Sequence, residues 1–311
     1  MSISVVVPVY NSELSLPPLV SRLHPVLKSL ATDYELILVN DGSHDRSWAV
    51  ICDLAARNNW IRGIGLMRNF GQHNALLCGI RAAKYEVIVT MDDDLQHPPE
   101  EIPKLLAELN ETCDVVFGTP EKEQHGLWRD VASRLTKLAL GSVMGAKVAR
   151  SVSAFRAFRT KIRDAFANYQ GSFVSIDVLL TWGTSRFGAI PVRHDPRPIS
   201  ASNYTFRMLV RHTLNMITGF SVLPLKLASL VGFAFTVFGF AVLVFVVGRY
   251  LITGTSVAGF PFLASIIAIF SGAQLFALGI VGEYLARMYY RMMDRPTYVI
   301  QQQVSSNKGE D

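Results

Sequence analysis

Two long runs without a charged residue constrain the fold of this chain more than any other feature. The first run covers residues 227–248 and the second covers residues 250–282. A helix of about 20 apolar residues crosses the hydrocarbon of a bilayer, so each run is long enough to span a membrane. Buried core helices are the alternative, but they usually carry a polar stripe and are shorter. We therefore predict two transmembrane helices, at residues 227–248 and 260–285, with a loop over residues 252–259.

The charged residues beside these runs predict an orientation. Basic residues precede the first run and follow the second: Arg207, Arg211 and Lys226, then Arg287, Arg291 and Arg295. The segment between the runs has only Arg249, at its edge. Positively charged flanks stay on the cytosolic side, so we expect both termini in the cytosol. No cleavable signal peptide is expected, because the N-terminus leads directly into a strand-like segment.

Charge and cysteine content narrow the class of protein. The net charge of +5 is compatible with a nucleic-acid partner, but much of the basic excess lies beside the apolar runs. Anionic lipid head groups therefore explain it better than nucleic acid does. Three cysteines without a CxxC spacing are typical of reduced packing residues, not of a disulfide or metal set. The histidines likewise lack HxH or HExxH spacing, so a zinc site is not expected.

The first 200 residues alternate between strand-like and helix-like segments. Apolar β-branched runs at residues 3–9, 34–39, 61–66 and 86–91 are typical of buried parallel strands. Alternation of this kind predicts an α/β domain with a doubly wound, mostly parallel sheet. We divide the chain into a cytosolic α/β domain (1–200), a juxtamembrane segment (201–226), a two-helix membrane domain (227–285) and a cytosolic tail (286–311).

The juxtamembrane segment has an amphipathic pattern. Apolar residues of the stretch 204–222 fall on one helical face, and Arg207, Arg211, Asn215 and Thr218 fall on the other. A soluble amphipathic helix would have the same pattern. Because the first apolar run follows directly, we predict a helix that lies in the membrane interface.

Polar residues end three of the predicted strands. Asn11, Asp41 and the acidic run Asp92–Asp94 all follow apolar segments, and ligands of such sheets bind beyond the carboxyl ends of the strands. Three adjacent carboxylates repel one another, which a divalent cation would relieve. Mg²⁺ binds through one or two carboxylates together with substrate phosphates. We therefore predict that Asp92 and Asp94 bind a metal that also binds a diphosphate.

A family resemblance is carried by four motifs within residues 3–103: VVVPVYNSE, NDGSHDRS, RNFGQHNAL and MDDDLQHPPEEIP. Together they resemble the inverting glycosyltransferases of family 2, which have a GT-A fold. The later segments SASNYTF, VLPLKL, GAQLFALGIVGEYLAR and RPTYVIQQ are similar to bacterial polyprenyl-phosphate glycosyltransferases with two C-terminal membrane helices. That group makes undecaprenyl-phosphate-linked sugars, including glucose and 4-deoxy-4-formamido-arabinose, and is related to dolichol-phosphate mannose synthase.

The resemblance implies a multi-pass enzyme of the bacterial inner membrane, in cell-envelope glycan synthesis, with a nucleotide-sugar donor, UDP-linked in our interpretation. It implies a metal site for Mg²⁺ or Mn²⁺ at Asp92 and Asp94, with Gln96 as a further ligand. The residues that it places around the nucleotide sugar are Pro8, Tyr10, Asn11, Glu13, Asp41, Asp93 and Arg129. Among these, Asp41 would hold the base and Asp93 would face the ribose or the sugar.

On the acceptor side, the resemblance places Arg197, Ser202 and Asn203 beside the lipid phosphate, with Arg197 among the catalytic residues alongside the metal pair. For Arg129 and Arg197 a solvated surface charge is the alternative. The chain departs from the family pattern at several positions. Ser12 separates Asn11 from Glu13, His97 stands where Asp or Asn is usual, and Asn203 replaces a common Lys.

An Asp that the family has shortly before the Arg-Ala-Phe segment is also missing from this chain. A catalytic base is not required, however, if the acceptor is a phosphate. A phosphate monoester has a second pKa of about 6 and therefore needs alignment more than proton removal.

Other functions stay open at this point. A glycan or protein acceptor would make the two apolar helices a mere anchor, and a non-catalytic scaffold could retain the fold. A channel is disfavoured, because neither run has a charged lining residue.

The tail contains strand formers at Tyr298, Val299 and Ile300. An unpaired apolar strand is an aggregation hazard, so we expect it to pair with a sheet edge. The resemblance implies a homotetramer in which this tail reaches a neighbouring subunit. A tail that folds back onto its own α/β domain is the alternative.

Overall fold

A central sheet with helices on both faces forms the N-terminal part of the chain. The computed structural model describes residues 1–120, 152–171, 174–195, 223–254 and 259–306. Its strands are β1 (Ser2–Val9), β2 (Asp33–Asn40), β3 (Ile61–Leu66), β4 (Val87–Thr90), β5 (Val115–Pro120), β6 (Arg156–Arg159), β7 (Phe187–Val192) and β8 (Ile300–Ser305). Its helices are α1 (Leu16–Leu30), α2 (Ser47–Arg57), α3 (Gln72–Ala82), α4 (Ile102–Glu108), α5 (Ile176–Gly183), α6 (Leu223–Thr253) and α7 (Phe260–Met292), with 3₁₀ turns at Pro99–Glu101 and Thr160–Phe166.

The described strands form one sheet in the order β7-β5-β6-β4-β1-β2-β3-β8. The centre, β4-β1-β2-β3, is parallel, and so is the β5–β7 pair. Strand β6 runs antiparallel to both β4 and β5, and β8 runs antiparallel to β3. The predicted α/β class with a mostly parallel sheet is confirmed: four of the seven strand pairs are parallel, and β6 and β8 make the sheet mixed. Its parallel centre brings the carboxyl ends of β1, β2 and β4 to one edge.

Alternating side chains of the strands fill two apolar layers. On β1, Val5 and Val7 pack with α1 and α2 on one face, whereas Val6 packs with α3 on the other. Helix α1 buries a stripe at Leu16, Leu19, Val20, Leu23 and Leu27, the spacing of an amphipathic helix. Helix α3 lies so close to β1 that a Cβ on Gly79 would be 2.3 Å from Val6 Cγ1. This close packing fixes the N-terminus of α3 beside the carboxyl ends of the strands.

Helices α6 and α7 contain the two predicted spans. They are long and apolar enough to cross a membrane, and the most apolar window of each is not buried by the rest of the described chain. Bulky side chains such as Phe233 and Leu275 are 67% and 69% exposed. A soluble protein rarely exposes a contiguous apolar surface of this size, so the core-helix alternative does not hold. The two helices pack on each other, with the rings of Phe235 and Phe270 5.4 Å apart.

The helices are longer than the apolar runs. Helix α6 begins at Leu223 and continues to Thr253, so Ile252 is helical and not part of the loop. Helix α7 continues beyond Leu285 to Met292. Arg287 and Glu283 form an ion pair one turn apart, at 2.7 Å, which supports the helix after the apolar run has ended.

The tail pairs with a sheet edge, as the sequence predicts. Its partner is β3 of the same chain, with Gly63 opposite Val304 and Gly65 opposite Gln302. In this single chain the tail folds back onto its own α/β domain, which is the alternative stated above, and exchange into a neighbouring subunit stays a prediction. Covering the β3 edge satisfies backbone groups that would otherwise be open to a second chain. The homotetramer stays a prediction.

Several predicted features lie outside the described residues. They are the amphipathic helix at residues 204–222 and the positions Arg129, Arg197, Ser202 and Asn203.

Replacing Val304 by Asp should weaken the attachment of the tail. The Val304 side chain packs on the core layer of α2, and a Cβ on Gly63 would be 2.7 Å from Val304 Cγ1 and 2.4 Å from Ile51 Cγ2. A carboxylate there is desolvated without a partner, so we expect the free energy of unfolding to fall by about 1–3 kcal/mol. The control is Gln303→Asp at the adjacent exposed position, which should change it by less than about 0.5 kcal/mol. Thermal unfolding in detergent measures both, and equal Tm values for the two variants would contradict the pairing.

Candidate active site

A cavity of about 230 Å³ lies at the carboxyl ends of β1, β2 and β4. Its lining residues come from the ends of these strands and from the segment that follows β3: Pro8, Val9, Tyr10, Asp41, Asn69, Gly71, Gln72, Asp92, Asp93 and Asp94. Each strand ends where its apolar run meets polar residues, so the lining follows directly from the pattern of the sequence. The edge of the sheet on which the cavity lies is the predicted one.

Asp41 shapes the wall of this cavity. Its two carboxylate oxygens accept hydrogen bonds from the backbone N–H groups of Phe70 and Gly71, at 2.7 and 2.8 Å. Gly71 has φ 96°, a conformation that glycine adopts at low cost. Burial raises the pKa of Asp41, and the two N–H donors act in the opposite direction. A carboxylate can accept further hydrogen bonds, so the predicted contact with a ligand is compatible with this role.

The acidic run is divided among three hydrogen-bond donors. Asp92 Oδ1 accepts from Gln72 Nε2 at 2.6 Å, and Asp94 Oδ1 accepts from the backbone N–H of Gln96 at 3.1 Å. Asp93 Oδ2 accepts from the hydroxyl of Ser12. Burial raises the pKa of Asp93 to about 6. The three carboxylates thus line one cavity but are held by α3, by the loop after β1 and by their own turn.

The chemistry of these donors fits a hard divalent cation. Among the described residues, no three His, Cys, Asp or Glu side chains converge closely enough to hold a metal alone. Mg²⁺ does not need such a set, because it commonly binds one or two carboxylates together with water and substrate phosphates. Asp92 and Asp94 lie on the same cavity and offer that kind of incomplete oxygen site.

Two residues predicted to surround the nucleotide stabilise the loop after β2 and are not part of the cavity lining. Asn11 has φ 54°, and its Oδ1 accepts a hydrogen bond from the backbone N–H of His44 at 2.8 Å. Glu13 Oε2 accepts from the backbone N–H of Arg46 at 2.9 Å. Pro8 and Tyr10, by contrast, line the cavity, and Tyr10 is 45% exposed.

The segment after β3 contributes three lining residues that the sequence analysis did not assign: Asn69, Gly71 and Gln72. They carry no charge, so neither charge nor metal-ligand spacing pointed to them. The available signal was their position, because they follow the carboxyl end of a parallel strand as Asp41 and the acidic run do.

Gln96 contacts the segment after β7 through its backbone. Its carbonyl oxygen accepts a hydrogen bond from the N–H of Asp195 at 2.8 Å. The His97 ring packs between those of Phe155 and His194, with centroids 5.3 and 5.0 Å away. The turn that ends the acidic run therefore supports the chain two residues before Arg197. The Gln96 side chain is not among the cavity lining, and its role as a metal ligand stays a prediction.

A buried ion pair lies behind this edge of the sheet. Arg156 on β6 and Asp177 in the first turn of α5 are 2% and 5% exposed and hydrogen-bonded to each other. Arg156 is paired in register with Thr90, the last residue of β4. The pair connects α5 to the end of β4, which leads into the acidic run. No pattern in the sequence predicted it.

Comparison with known proteins is consistent with this geometry. Residues 4–169 match the family model described as glycosyl transferase family 2. The chain is 37% identical over 306 residues to undecaprenyl-phosphate 4-deoxy-4-formamido-L-arabinose transferase of Enterobacter sp. (strain 638), covering 97% of this chain and 94% of that protein. It is 36% identical over 312 residues to the protein of the same name from Photorhabdus laumondii, covering 99% and 96%.

Solved structures share the fold. Glucosyl-3-phosphoglycerate synthase from Mycobacterium tuberculosis, in complex with Mn²⁺ and UDP-glucose, superposes with a TM-score of 0.52 at 18% identity. The match covers 70% of this chain and 77% of that one. A complex of the same synthase with Mn²⁺, UDP and glucosyl-3-phosphoglycerate gives a TM-score of 0.51. The predicted GT-A-type fold is confirmed by these matches.

Replacing Asp41 by Ala should destabilise the loop after β3. Two backbone N–H groups would lose their acceptors, and an unsatisfied buried donor costs about 1–3 kcal/mol. We expect a loss of about 2 kcal/mol or more in the free energy of unfolding. Asp53→Ala is the control, because Asp53 forms an exposed pair with Arg57 worth less than about 1 kcal/mol. Denaturant unfolding of both variants tests this, and a loss for Asp41→Ala no larger than for the control would contradict the role of Asp41.

Proposed function

We propose that this chain, which belongs to glycosyl transferase family 2, transfers a sugar, with inversion, from a nucleotide-sugar donor to polyprenyl phosphate at the cytosolic face of a bacterial inner membrane. The observation that carries the proposal is similarity along nearly the whole chain, membrane helices included, to two enzymes named for undecaprenyl phosphate. The chain covers 94% and 96% of these relatives, so no large part of either is missing from the comparison.

The cavity is the proposed donor site. Pro8, Tyr10 and Asp41 line it at the ends of β1 and β2, and the acidic run lines it after the end of β4. Asp92 and Asp94 would hold Mg²⁺ or Mn²⁺, which when bound stabilises the negative charge on the departing diphosphate. The donor positions the anomeric carbon toward the side where the acceptor approaches. UDP is the nucleotide we propose, since the Mn²⁺-containing synthase of the same fold was solved with UDP-glucose.

The acceptor side is proposed to involve Arg197, Ser202 and Asn203. In the sequence Arg197 comes two residues after Asp195, whose N–H is hydrogen-bonded to the carbonyl oxygen of Gln96. A guanidinium is well suited to bind a phosphate through paired hydrogen bonds. The phosphate oxygen attacks the anomeric carbon as an anion, so alignment and neutralisation of charge are the tasks left to the protein.

The basic flanks of the spans support the proposed orientation. Lys226 lies in the first turn of α6, and Arg287 lies near the C-terminus of α7. The N-terminus of α6 and the C-terminus of α7 would therefore both face the cytosol. The anionic head groups there would attract these residues.

The alternative acceptors are less well supported. A glycan or protein acceptor would not account for similarity that extends through both membrane helices. A non-catalytic scaffold would not need the complete acidic run on the cavity.

A homotetramer stays a proposal, and the mass of the purified protein in detergent would test it.

A donor panel tests the function. The purified protein in vesicles is offered UDP-linked sugars, with UDP-4-deoxy-4-formamido-L-arabinose first, and either undecaprenyl phosphate or a soluble glycan. We expect labelled sugar in the lipid fraction with one donor. Transfer to the glycan alone would refute the lipid acceptor, and absence of both transfer and donor hydrolysis would favour the scaffold.

Replacing Asp92 or Asp94 by Asn should lower turnover at least about a hundredfold, because stabilisation of the leaving group is lost. Chelation by EDTA should abolish turnover, and added Mg²⁺ or Mn²⁺ should restore it. Asp33→Asn, at the first residue of β2 and the opposite edge of the sheet, is the control and should retain activity. Full turnover in EDTA would refute the metal site.

Replacing Arg197 by Ala should raise the KM for polyprenyl phosphate at least about tenfold, because a charge-assisted contact with the phosphate is lost. The dissociation constant of the nucleotide sugar should stay within about twofold. Arg57→Ala, which removes an exposed arginine from α2, serves as the control. Equal losses for donor and acceptor would show that Arg197 is structural or directed to the donor.

A further inference from the structure

The tail connects the membrane helices to the α/β domain by a very short route. Helix α7 ends at Met292, and the carbonyl oxygen of Val299 accepts a hydrogen bond from the N–H of Met67 at 2.9 Å. Only residues 293–298 lie between these two points. Seven residue steps span at most about 25 Å even when fully extended, and the hydrogen-bonded neighbour adds about 5 Å, so Met67 lies within about 30 Å of the end of α7.

The connection is shorter still because of its local conformation. Asp294 adopts φ 45°, in the left-handed region, so the helical path does not continue through it. The ring of Pro296 fixes its own φ and removes further freedom. Residues 293–296 are exposed, whereas Thr297 is buried, so only four residues of the connection are exposed before the chain docks on the α/β domain.

The far end of the connection is firmly docked. Thr297 is 8% exposed, and Tyr298 packs against the apolar layer that contains α3. The guanidinium of Arg81 lies 5.7 Å from the centroid of the Tyr298 ring. From Ile300 the chain continues as β8, which pairs with residues Arg62 to Leu66 of β3.

The docking point lies beside the cavity. Met67 follows β3 directly, and Asn69 and Gly71, which line the cavity, come two and four residues later. The tail therefore meets the sheet at the carboxyl ends of the parallel strands, where the cavity lies, and not at their amino ends. The other connection to the membrane helices extends over residues 193–222, between β7 and α6. It has 30 residues against the six of 293–298, so by chain length the short connection sets the tighter limit on the distance between the cavity and the end of α7.

We propose that residues 293–298 form a tether that holds the cavity at the membrane surface, so that the phosphate of a bilayer-embedded acceptor reaches the donor. This inference rests on the proposed function. The tether acts by position alone and contacts neither substrate. Its contribution is the effective concentration of the lipid phosphate at the cavity, which falls roughly as the −3/2 power of linker length.

Lengthening the tether tests this role. Twenty Gly and Ser residues inserted between Asp294 and Arg295 extend the connection from six residues to 26, which predicts about a tenfold rise in the KM for undecaprenyl phosphate in vesicles. A short-chain, water-soluble prenyl phosphate does not depend on the bilayer, so its KM should stay within about twofold. The control carries the same insert after Asp311, beyond β8, and should behave as the parent chain.

A cleavage variant keeps the test valid if the long insert disturbs folding. A protease site between Asp294 and Arg295 is cut after the folded protein has been reconstituted, when β8 is already paired with β3. The cut should reproduce the selective loss with undecaprenyl phosphate. A loss of equal size with both acceptors, or no loss with either, would overturn the tether.

The two levels of the proposal fail differently. If the parent chain transfers sugar to neither acceptor, the proposed function is wrong. If the parent uses both acceptors and the lengthened or cut tether leaves their ratio unchanged, only the tether is wrong.

Discussion

Repulsion among Asp92, Asp93 and Asp94 is the constraint around which the cavity is organised. Each carboxylate has a different hydrogen-bond donor: the Gln72 amide, the Ser12 hydroxyl and the Gln96 backbone N–H. These donors belong to α3, to the loop after β1 and to the turn after β4. The hydrogen bonds to the three carboxylates therefore fix these three segments relative to one another. Asp41 adds a fourth, because its two hydrogen bonds join the end of β2 to the segment after β3.

The strand ends could be predicted from sequence, whereas the partners of their side chains could not. An apolar run that stops at Asn11, Asp41 or Asp92 marks both the end of a strand and the edge of the sheet. Whether the polar side chain then faces a ligand or supports a loop depends on distant residues. Glu13 illustrates this, since its partner Arg46 is 33 positions away. The Arg156–Asp177 pair, 21 positions apart, likewise leaves no periodic signal in the sequence.

In the C-terminal part, too, composition predicted the elements but not their contacts. Absence of charge predicted both apolar spans, but it could not predict that α7 continues seven residues beyond Leu285, where the Glu283–Arg287 pair supports the helix. The strand-forming tail was recognised by composition alone. Its partner was not, since any exposed edge would satisfy an unpaired strand. In the structure the glycines of β3 decide it, because Gly63 leaves room for Val304 beside Ile51.

The hydrogen bonds that the acidic side chains already accept are relevant to the kind of sugar acceptor that the site can use. A sugar or protein hydroxyl has to lose a proton as it attacks, which requires a base within hydrogen-bond reach. The carboxylates that line the described cavity already accept hydrogen bonds, two of them in the case of Asp41. Asp177, at the start of α5, is buried against Arg156 and lies outside the cavity lining. A phosphate monoester is largely ionised at neutral pH and needs no base to remove a proton, so a lipid phosphate can attack without any of these carboxylates acting as a base.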